Sequence, residues 1–316
     1  MRARIRDFLE NNNGWIFAVA DYNHMDGIRC VLRYVPDPQG ERRAKGRRYR
    51  KIDFDDAYAF LKKERPDYVK DMHVVPEEDV IRIYRPHEEL KKIIKKDGRV
   101  REIAFILAEG GVPWDEMGIT GSMLMGLQSP ISDIDFVVYG PWWWKARKIV
   151  AEAKKQGLIK DLDESMWHQI YFKRRPEISF REFVLHEKRK GNRGLIDGTY
   201  FDLLFARDWS QIEFYPTGKP LGRKRITARV TGAEFAFDSP AIFKLDDDDV
   251  KEIYCYTHTY AGQALPGEEI EAMGVIEKIE NGTRLVVGTT REARGEWIRS
   301  LTLLKAENEK GSLGIE

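Results

Sequence analysis

The sequence predicts an α+β protein built from three parts. Short strands with one helix occupy the first 87 residues, and helices alternate with strands from residue 88 to about 215. From residue 216 onward, strand-like runs separated by glycines dominate. We therefore expect an N-terminal α+β domain (1–87), a central α+β core (88–215) and a β-rich C-terminal domain (216–316). A chain of 316 residues suits two or three domains.

The composition excludes some classes of protein and leaves others open. Hydrophobic residues make up 42% of the chain, which is enough for sizeable cores, and the net charge of +1 neither demands nor excludes nucleic acid. Cys30 and Cys255 are far apart and form no zinc-binding or disulfide pattern. No run is long and apolar enough to span a bilayer. We expect a cytoplasmic protein with no membrane partner.

A basic segment at 41–51 has two interpretations. It could contact nucleic-acid phosphates, with Tyr49 available to stack on a base. It could instead be a solvated hairpin whose charges are balanced by the aspartates of the segment 53–56. The residues proposed for phosphate contact are Arg47, Arg48 and Arg50.

The central part begins with a helix predicted over 88–110, with Asp97-Gly98 as a possible break. After it, the stretch 117–140 has the pattern strand, tight turn, short helix, turn, strand. The turn falls at Gly121-Ser122, and the second strand carries Asp133 and Asp135. Because side chains alternate along a strand, these two carboxylates are expected on one face.

Two neighbouring carboxylates repel each other unless a cation lies between them. Carboxylate oxygens are the ligands that Mg²⁺ prefers, and Mg²⁺ commonly accompanies phosphates. Gly121 lets the backbone approach a ligand closely, and the helix start at Ser122 favours an anion. Alternatively, the segment is a turn followed by an edge strand with solvated carboxylates.

This stretch resembles the nucleotidyltransferase superfamily that includes DNA polymerase β, the CCA-adding enzymes and the small MNT-type proteins. The shared signature is a Gly-Ser pair, a gap of roughly ten residues, Asp-x-Asp on an apolar strand and a later third acid. The third acid must lie within a neighbouring strand. Asp202, in the apolar run 198–206, is the preferred candidate, and Asp197 is the second choice because its surroundings indicate a turn.

The resemblance implies a polymerase-β-type core that moves a nucleoside monophosphate from an NTP to an acceptor hydroxyl and releases pyrophosphate. It implies two Mg²⁺ ions, with Mn²⁺ as a possible substitute, held by Asp133, Asp135 and Asp202. It also implies that Gly121 and Ser122 hold the terminal phosphates of the nucleotide.

The C-terminal part is predicted to be a small β-barrel that resembles OB-type domains. With the basic hairpin, this favours RNA as the acceptor. A protein or small-molecule acceptor is the alternative, and an inactive nucleic-acid-binding scaffold is a third hypothesis. Two local expectations are a strand at 169–172 and a closing helix at 295–305.

Overall fold

The computed structural model describes residues 2–215, 218–290, 292 and 294–312, with side chains described as far as residue 310. The chain divides into two compact units. The first contains the residues up to Asp161 together with Asn192–Tyr215, and the second contains Leu162–Gly191 and the described residues that follow Tyr215. The three-part division expected from the sequence stays a prediction.

The first unit begins with an antiparallel sheet in the order β4-β5-β3-β2-β1-β7, with β6 also paired to β3. One helix, α1 (Phe54–Glu64), packs its buried residues Ala57 and Leu61 against this sheet. The strands are β1 (Phe8–Asn11), β2 (Ile16–Val19), β3 (Ile28–Pro36), β4 (Arg42–Ala44), β5 (Arg47–Lys51), β6 (His73–Val75) and β7 (Val80–Tyr84).

A second sheet of the first unit has the order β10-β11-β9-β8. Its central pair, β9 and β11, is parallel, and the other two pairs are antiparallel. The strands of this sheet and the helices of this part of the chain are α2 (Pro86–Ile93), α3 (Gly98–Glu109), β8 (Met117–Ile119), α4 (Gly121–Met125), β9 (Ile134–Tyr139), α5 (Trp142–Lys155), β10 (Arg193–Ile196) and β11 (Thr199–Ala206).

The predicted break in the long helix is confirmed. The side chain of Asp97 accepts hydrogen bonds from the backbone N–H groups of Arg99 and Val100, so it caps the start of α3. One predicted helix therefore becomes the two helices α2 and α3.

Alternation along the central strands separates two faces of this sheet. Phe136 and Leu203 lie on one face, which Trp143 of α5 covers while donating a hydrogen bond to the Leu203 carbonyl at 3.2 Å. On the opposite face, Val137 and Leu204 belong to one apolar cluster. Asp135 and Asp202 lie two residues before Val137 and Leu204, and therefore on this second face.

The second unit combines two helices from the middle of the chain with the β-rich C-terminal part. The strands β12, β13, β14, β16 and β15 pair in that order, and β15 pairs back to β12, so the hydrogen bonding runs round a closed cycle. The elements are α6 (Glu164–Arg174), α7 (Phe180–Lys190), β12 (Lys219–Gly232), β13 (Ala241–Asp246), β14 (Val250–Cys255), β15 (Glu269–Ile279), β16 (Gly282–Val287), β17 (Trp297–Ser300) and α8 (Leu301–Ser312). The OB-type assignment stays a prediction.

Two local expectations fail in this unit. The strand predicted at 169–172 is wrong, because this segment lies inside α6, whose first turn is capped by the Asp163 side chain. The closing helix also begins later than predicted, because Trp297–Ser300 pairs with β15 as a strand before α8 starts. In the second segment, pairing with a distant strand overrides local propensity, whereas the first segment follows the capped start of its own helix.

No helix among the described residues has the length and apolar character needed to cross a membrane.

The N-terminal segment is anchored by a buried carboxylate. Asp7 is 1% exposed, its Oδ2 accepts the backbone N–H of Arg4 at 3.0 Å, and the Asp7 N–H donates to the Arg4 carbonyl at 3.0 Å. Burial raises the pKa of Asp7 to about 7, against opposing effects of Arg4 and Arg85. Residues 4–7 therefore form a turn closed by backbone and side chain together.

We expect Asp7→Asn to stabilise the protein at neutral and alkaline pH. Because the folded-state pKa is raised, the wild-type free energy of unfolding falls as the pH rises from about 4 to about 7. Asn keeps an acceptor for Arg4 and never ionises, so the gain should reach roughly 1–4 kcal/mol at pH 8 and shrink towards pH 4. Urea unfolding across this range checks it, with the exposed Asp55→Asn as control. A gain that does not depend on pH would contradict this origin.

Candidate active site

Two acidic residues meet where the parallel strands β9 and β11 pair. Asp135 and Asp202 are register partners, so their side chains project side by side from the same face. Asp202 is 5% exposed and Asp135 is half-buried. The structure therefore brings together two of the three candidate catalytic carboxylates.

The other two acids considered, Asp133 and Asp197, lie outside the paired strands. The prediction that Asp133 lies within the strand is wrong, because β9 begins at Ile134. Asp133 is exposed immediately before β9, and its charge acts on Asp135. Asp197 is exposed in the turn between β10 and β11, with a φ of 46°. It lies at the turn of that hairpin, whereas Asp202 lies within β11 beside Asp135. The position of Asp202 thus suits a third ligand better than that of Asp197.

The Gly-Ser turn packs directly against Asp135. The Thr120 N–H donates to the Asp135 carbonyl at 2.9 Å, and Gly121 follows with a φ of 66°. A Cβ on Gly121 would overlap Oδ2 of Asp135, so glycine is required by both conformation and space. Ser122 is half-buried in the first turn of α4.

The short helix α4 differs from the sequence expectation in one respect. It begins at Gly121 and contains five residues, little more than one turn. A helix this short adds few aligned peptide dipoles. Charged side chains are therefore the better source of attraction for a phosphate chain in this region.

The electrostatics of the site favour a bound cation. Burial above all, together with the charges of Asp133 and Asp202, raises the pKa of Asp135 to about 7. Arg6 and Arg33 oppose this rise through their positive charge. A divalent ion would relieve the same repulsion between carboxylates more directly.

The chemistry of the donor set fits a hard divalent ion, since the charges of two other carboxylates, Asp133 and Asp202, act on the half-buried Asp135. Among the described residues, however, no three His, Cys, Asp or Glu side chains are placed so that they could hold a metal ion as they stand. Asp202 is held by two hydrogen-bond donors. Asn192 Nδ2 donates to its Oδ1 at 2.8 Å, and Arg193 Nε lies 3.1 Å from its Oδ2. These two partners, which the sequence analysis missed, hold Asp202 in position.

The basic hairpin β4–β5 contacts the loop that precedes β9. Arg42 Nη1 lies 3.4 Å from the Leu127 carbonyl and 3.5 Å from Ser132 Oγ. Tyr49 is 4% exposed and belongs to the same apolar cluster as Leu124 of α4. The expectation that Tyr49 is available to stack on a base is therefore wrong.

The outer side of the hairpin remains accessible. Arg47, Arg48 and Arg50 are exposed. Arg48 and Arg50 lie on the outer face, whereas Arg47 shares the face of Tyr49 and is exposed at the turn, where a hollow of about 450 Å³ is lined by residues 43–48. Arg50 pairs with Asp37 at 3.1 Å, so one of the three charges is partly neutralised. The paired acid lies in the loop before β4 rather than in the segment 53–56.

Comparison with known proteins agrees with this geometry. A family model described as a nucleotidyltransferase domain matches residues 100–190, which include Gly121, Ser122, Asp133 and Asp135 but end before Asp202. The chain is also 41% identical to the uncharacterized protein MJ1086 of Methanocaldococcus jannaschii, over 95% of this chain and 99% of that protein. No solved structure gives a significant match.

The chain belongs to the nucleotidyltransferase superfamily. Its similarity to the M. jannaschii protein extends over both compact units and is not confined to the stretch matched by the family model. A nucleotidyltransferase domain supports a general transfer of nucleoside monophosphates from NTPs.

Two glycines with the same backbone conformation allow a matched test of the Gly121–Asp135 contact. Gly121 and Gly126 have φ values of 66° and 68°, but only a Cβ on Gly121 would meet a neighbour within 4 Å. Each Ala substitution should cost about 1–2 kcal/mol for the left-handed conformation. Gly121→Ala should cost at least about 1 kcal/mol more, because Asp135 must move.

Chemical unfolding of both variants, repeated in an Asp135→Ala background, provides the measurement. The excess cost of Gly121→Ala should disappear when the carboxylate is absent. An excess that persists there would show that Gly121 is required for a reason other than its contact with Asp135.

Proposed function

We propose that this protein is a metal-dependent nucleotidyltransferase that moves a nucleoside monophosphate from an NTP to a hydroxyl group of RNA. The observation that carries the proposal is the side-by-side placement of Asp135 and Asp202 next to the Gly121 turn. This places carboxylates beside a backbone that a phosphate chain can approach closely.

In this proposal, Asp133, Asp135 and Asp202 hold two Mg²⁺ ions, for which Mn²⁺ can substitute. Bound at these carboxylates, the metal would neutralise the triphosphate and lower the pKa of the acceptor hydroxyl. The acceptor oxygen forms a bond to the α-phosphorus, the bond from this phosphorus to the β-phosphate oxygen breaks, and pyrophosphate leaves. The proton of the hydroxyl passes to a carboxylate, for which buried Asp202 is our candidate.

The residues around Asp202 prepare it for this role. Asn192 and Arg193 fix both of its oxygens, so the carboxylate does not rotate freely. A carboxylate oxygen has more than one lone pair, and each can therefore accept a hydrogen bond and still face a cation. We assign the binding of the terminal phosphates to Gly121 and Ser122 because of the family resemblance.

The preference for RNA rests on the hairpin β4–β5. Its exposed arginines lie on an element whose inner side packs against α4 and the loop before β9. A nucleic-acid backbone bound to the outer side would be held by an element that the active-site loop contacts directly. The C-terminal part, predicted to be an OB-type barrel, contributes less support, because Asp246–Asp249 place negative charge at the β13–β14 loop.

We expect Asp135→Asn and Asp133→Ala to abolish metal-dependent transfer of label from α-³²P-labelled NTPs to cellular RNA. Asp135→Asn should also raise the unfolding free energy at pH 8 without metal, because it removes a buried charge from a repulsive cluster. The exposed Asp197→Asn is the control and should transfer label at the wild-type rate.

Full transfer by both variants would reject the catalytic assignment. Label entering protein or small molecules but not RNA would reject the acceptor while leaving the reaction in place. An absence of transfer by the wild-type protein to every pool would favour the inactive-scaffold hypothesis.

We expect Arg47→Glu combined with Arg48→Glu to weaken RNA binding about tenfold or more and to reduce its salt dependence. Each lost phosphate contact means about one fewer counterion released on binding, so the plot of log K against log salt concentration becomes less steep. Filter binding of labelled RNA at several salt concentrations measures both quantities. The control is Lys62→Glu with Lys63→Glu, which changes the net charge by the same amount at exposed residues of α1, outside the hairpin. Unchanged affinity in the first variant would remove the hairpin from the RNA-binding surface.

A further inference from the structure

Arg6 occupies a backbone conformation that arginine rarely adopts. It is the third residue of the turn 4–7 and has a φ of 83°, where turns of this kind favour glycine. A non-glycine residue held in this region costs of order 1 kcal/mol or more, and such residues cluster at functional sites. A functional role for the Arg6 side chain would account for an arginine at a position that favours glycine.

The position of Arg6 is set by contacts with the candidate active site. Its carbonyl accepts a hydrogen bond from Thr120 Oγ1 at 2.6 Å, and Thr120 immediately precedes the Gly121 turn. Its Nε lies 3.4 Å from the carbonyl of Phe205 on β11. The Arg6 backbone is thus attached to the residue before the Gly121 turn and its guanidinium to β11, which carries Asp202, and the charge of Arg6 acts on Asp135.

Arg33 brings a second positive charge from the N-terminal sheet. It lies on β3 next to Tyr34, which packs in the same apolar cluster as Leu124 of α4, the helix that begins at Gly121. Its charge also acts on Asp135. Both arginines are half-buried. Among the residues that the structure describes, neither guanidinium has a carboxylate within ion-pair distance, in contrast to Arg42, which lies 3.7 Å from Glu41.

A half-buried guanidinium without a carboxylate partner is suited to an anionic ligand. Here two such guanidinium groups act on the acidic cluster around Asp135. The negative charge of that cluster would by itself repel an anion. An NTP carried with Mg²⁺ satisfies both sets of charges, because the ion faces the carboxylates and the phosphates face the arginines.

We propose that Arg6 and Arg33 bind the triphosphate of the incoming nucleotide, so that the N-terminal part of the chain completes the nucleotide site. This inference rests on the proposed function. The RNA backbone is the less favoured ligand for this pair, since the exposed arginines that suit it lie on the hairpin β4–β5. The cost of the Arg6 conformation is then offset when the nucleotide binds.

The test is a binding measurement that does not depend on turnover. Calorimetry with Mg²⁺ would use the α,β-methylene analogues of ATP, GTP, CTP and UTP, which cannot release pyrophosphate, and tripolyphosphate as a probe without a base. The variants are Arg6→Gly, which suits the positive φ while removing the charge, Arg6→Lys, Arg33→Met and, as control, the exposed Arg101→Met.

We expect Arg6→Gly and Arg33→Met each to weaken analogue and tripolyphosphate binding by about tenfold to a hundredfold, the range of a charge-assisted contact. Arg6→Lys should recover part of the loss, Arg101→Met should bind as wild type, and Arg6→Gly should unfold at the same or a higher urea concentration than wild type.

The outcomes separate the failure of this inference from the failure of the proposed function. If the wild-type protein binds an analogue and both neutral variants bind it equally well, the triphosphate role is overturned while the proposed function stands. The triphosphate role is also overturned if Arg101→Met loses as much affinity as Arg6→Gly and Arg33→Met. If the wild-type protein binds none of the probes, the proposed function fails and the triphosphate role fails with it.

Discussion

The parallel pairing of β9 with β11 is the constraint on which the candidate site depends. It places Asp135 beside Asp202, although 66 residues separate them in the chain. Two carboxylates held this close in partly buried surroundings cost free energy. The surrounding structure offsets this cost with cations and hydrogen-bond donors, and it leaves an electrostatic environment that suits a divalent ion.

The site is assembled from several parts of the first unit, each of which contributes something that the others lack. β8 and the Gly121 turn supply close backbone approach to Asp135. Arg193, adjacent on β10, neutralises Asp202. The N-terminal turn and β3 supply Arg6 and Arg33. The N-terminal turn and sheet therefore contribute positive charge to the candidate site.

Two predictions from the sequence failed for a common physical reason. Tyr49 lies in a strongly basic segment, which indicated a surface residue, but strand alternation turns it inward against α4. The segment 169–172 has high β-propensity, but a capped helix start at Asp163 and packing within the second unit make it helical. In both places the composition of the segment was overruled by the element that contains it, a strand with one inward face and a helix with a capped start.

The sequence by itself determined the strand–turn–helix–strand layout around Gly121 and the membership of the nucleotidyltransferase superfamily. These properties depend on turn chemistry and side-chain periodicity, which act over a few residues. Only the tertiary structure decided that Asp202 lies beside Asp135, that Asn192 and Arg193 hold it, and that Arg6 and Arg33 act on the same cluster. Pairing register and long-range electrostatics join residues that are far apart in the chain, and local patterns do not encode them.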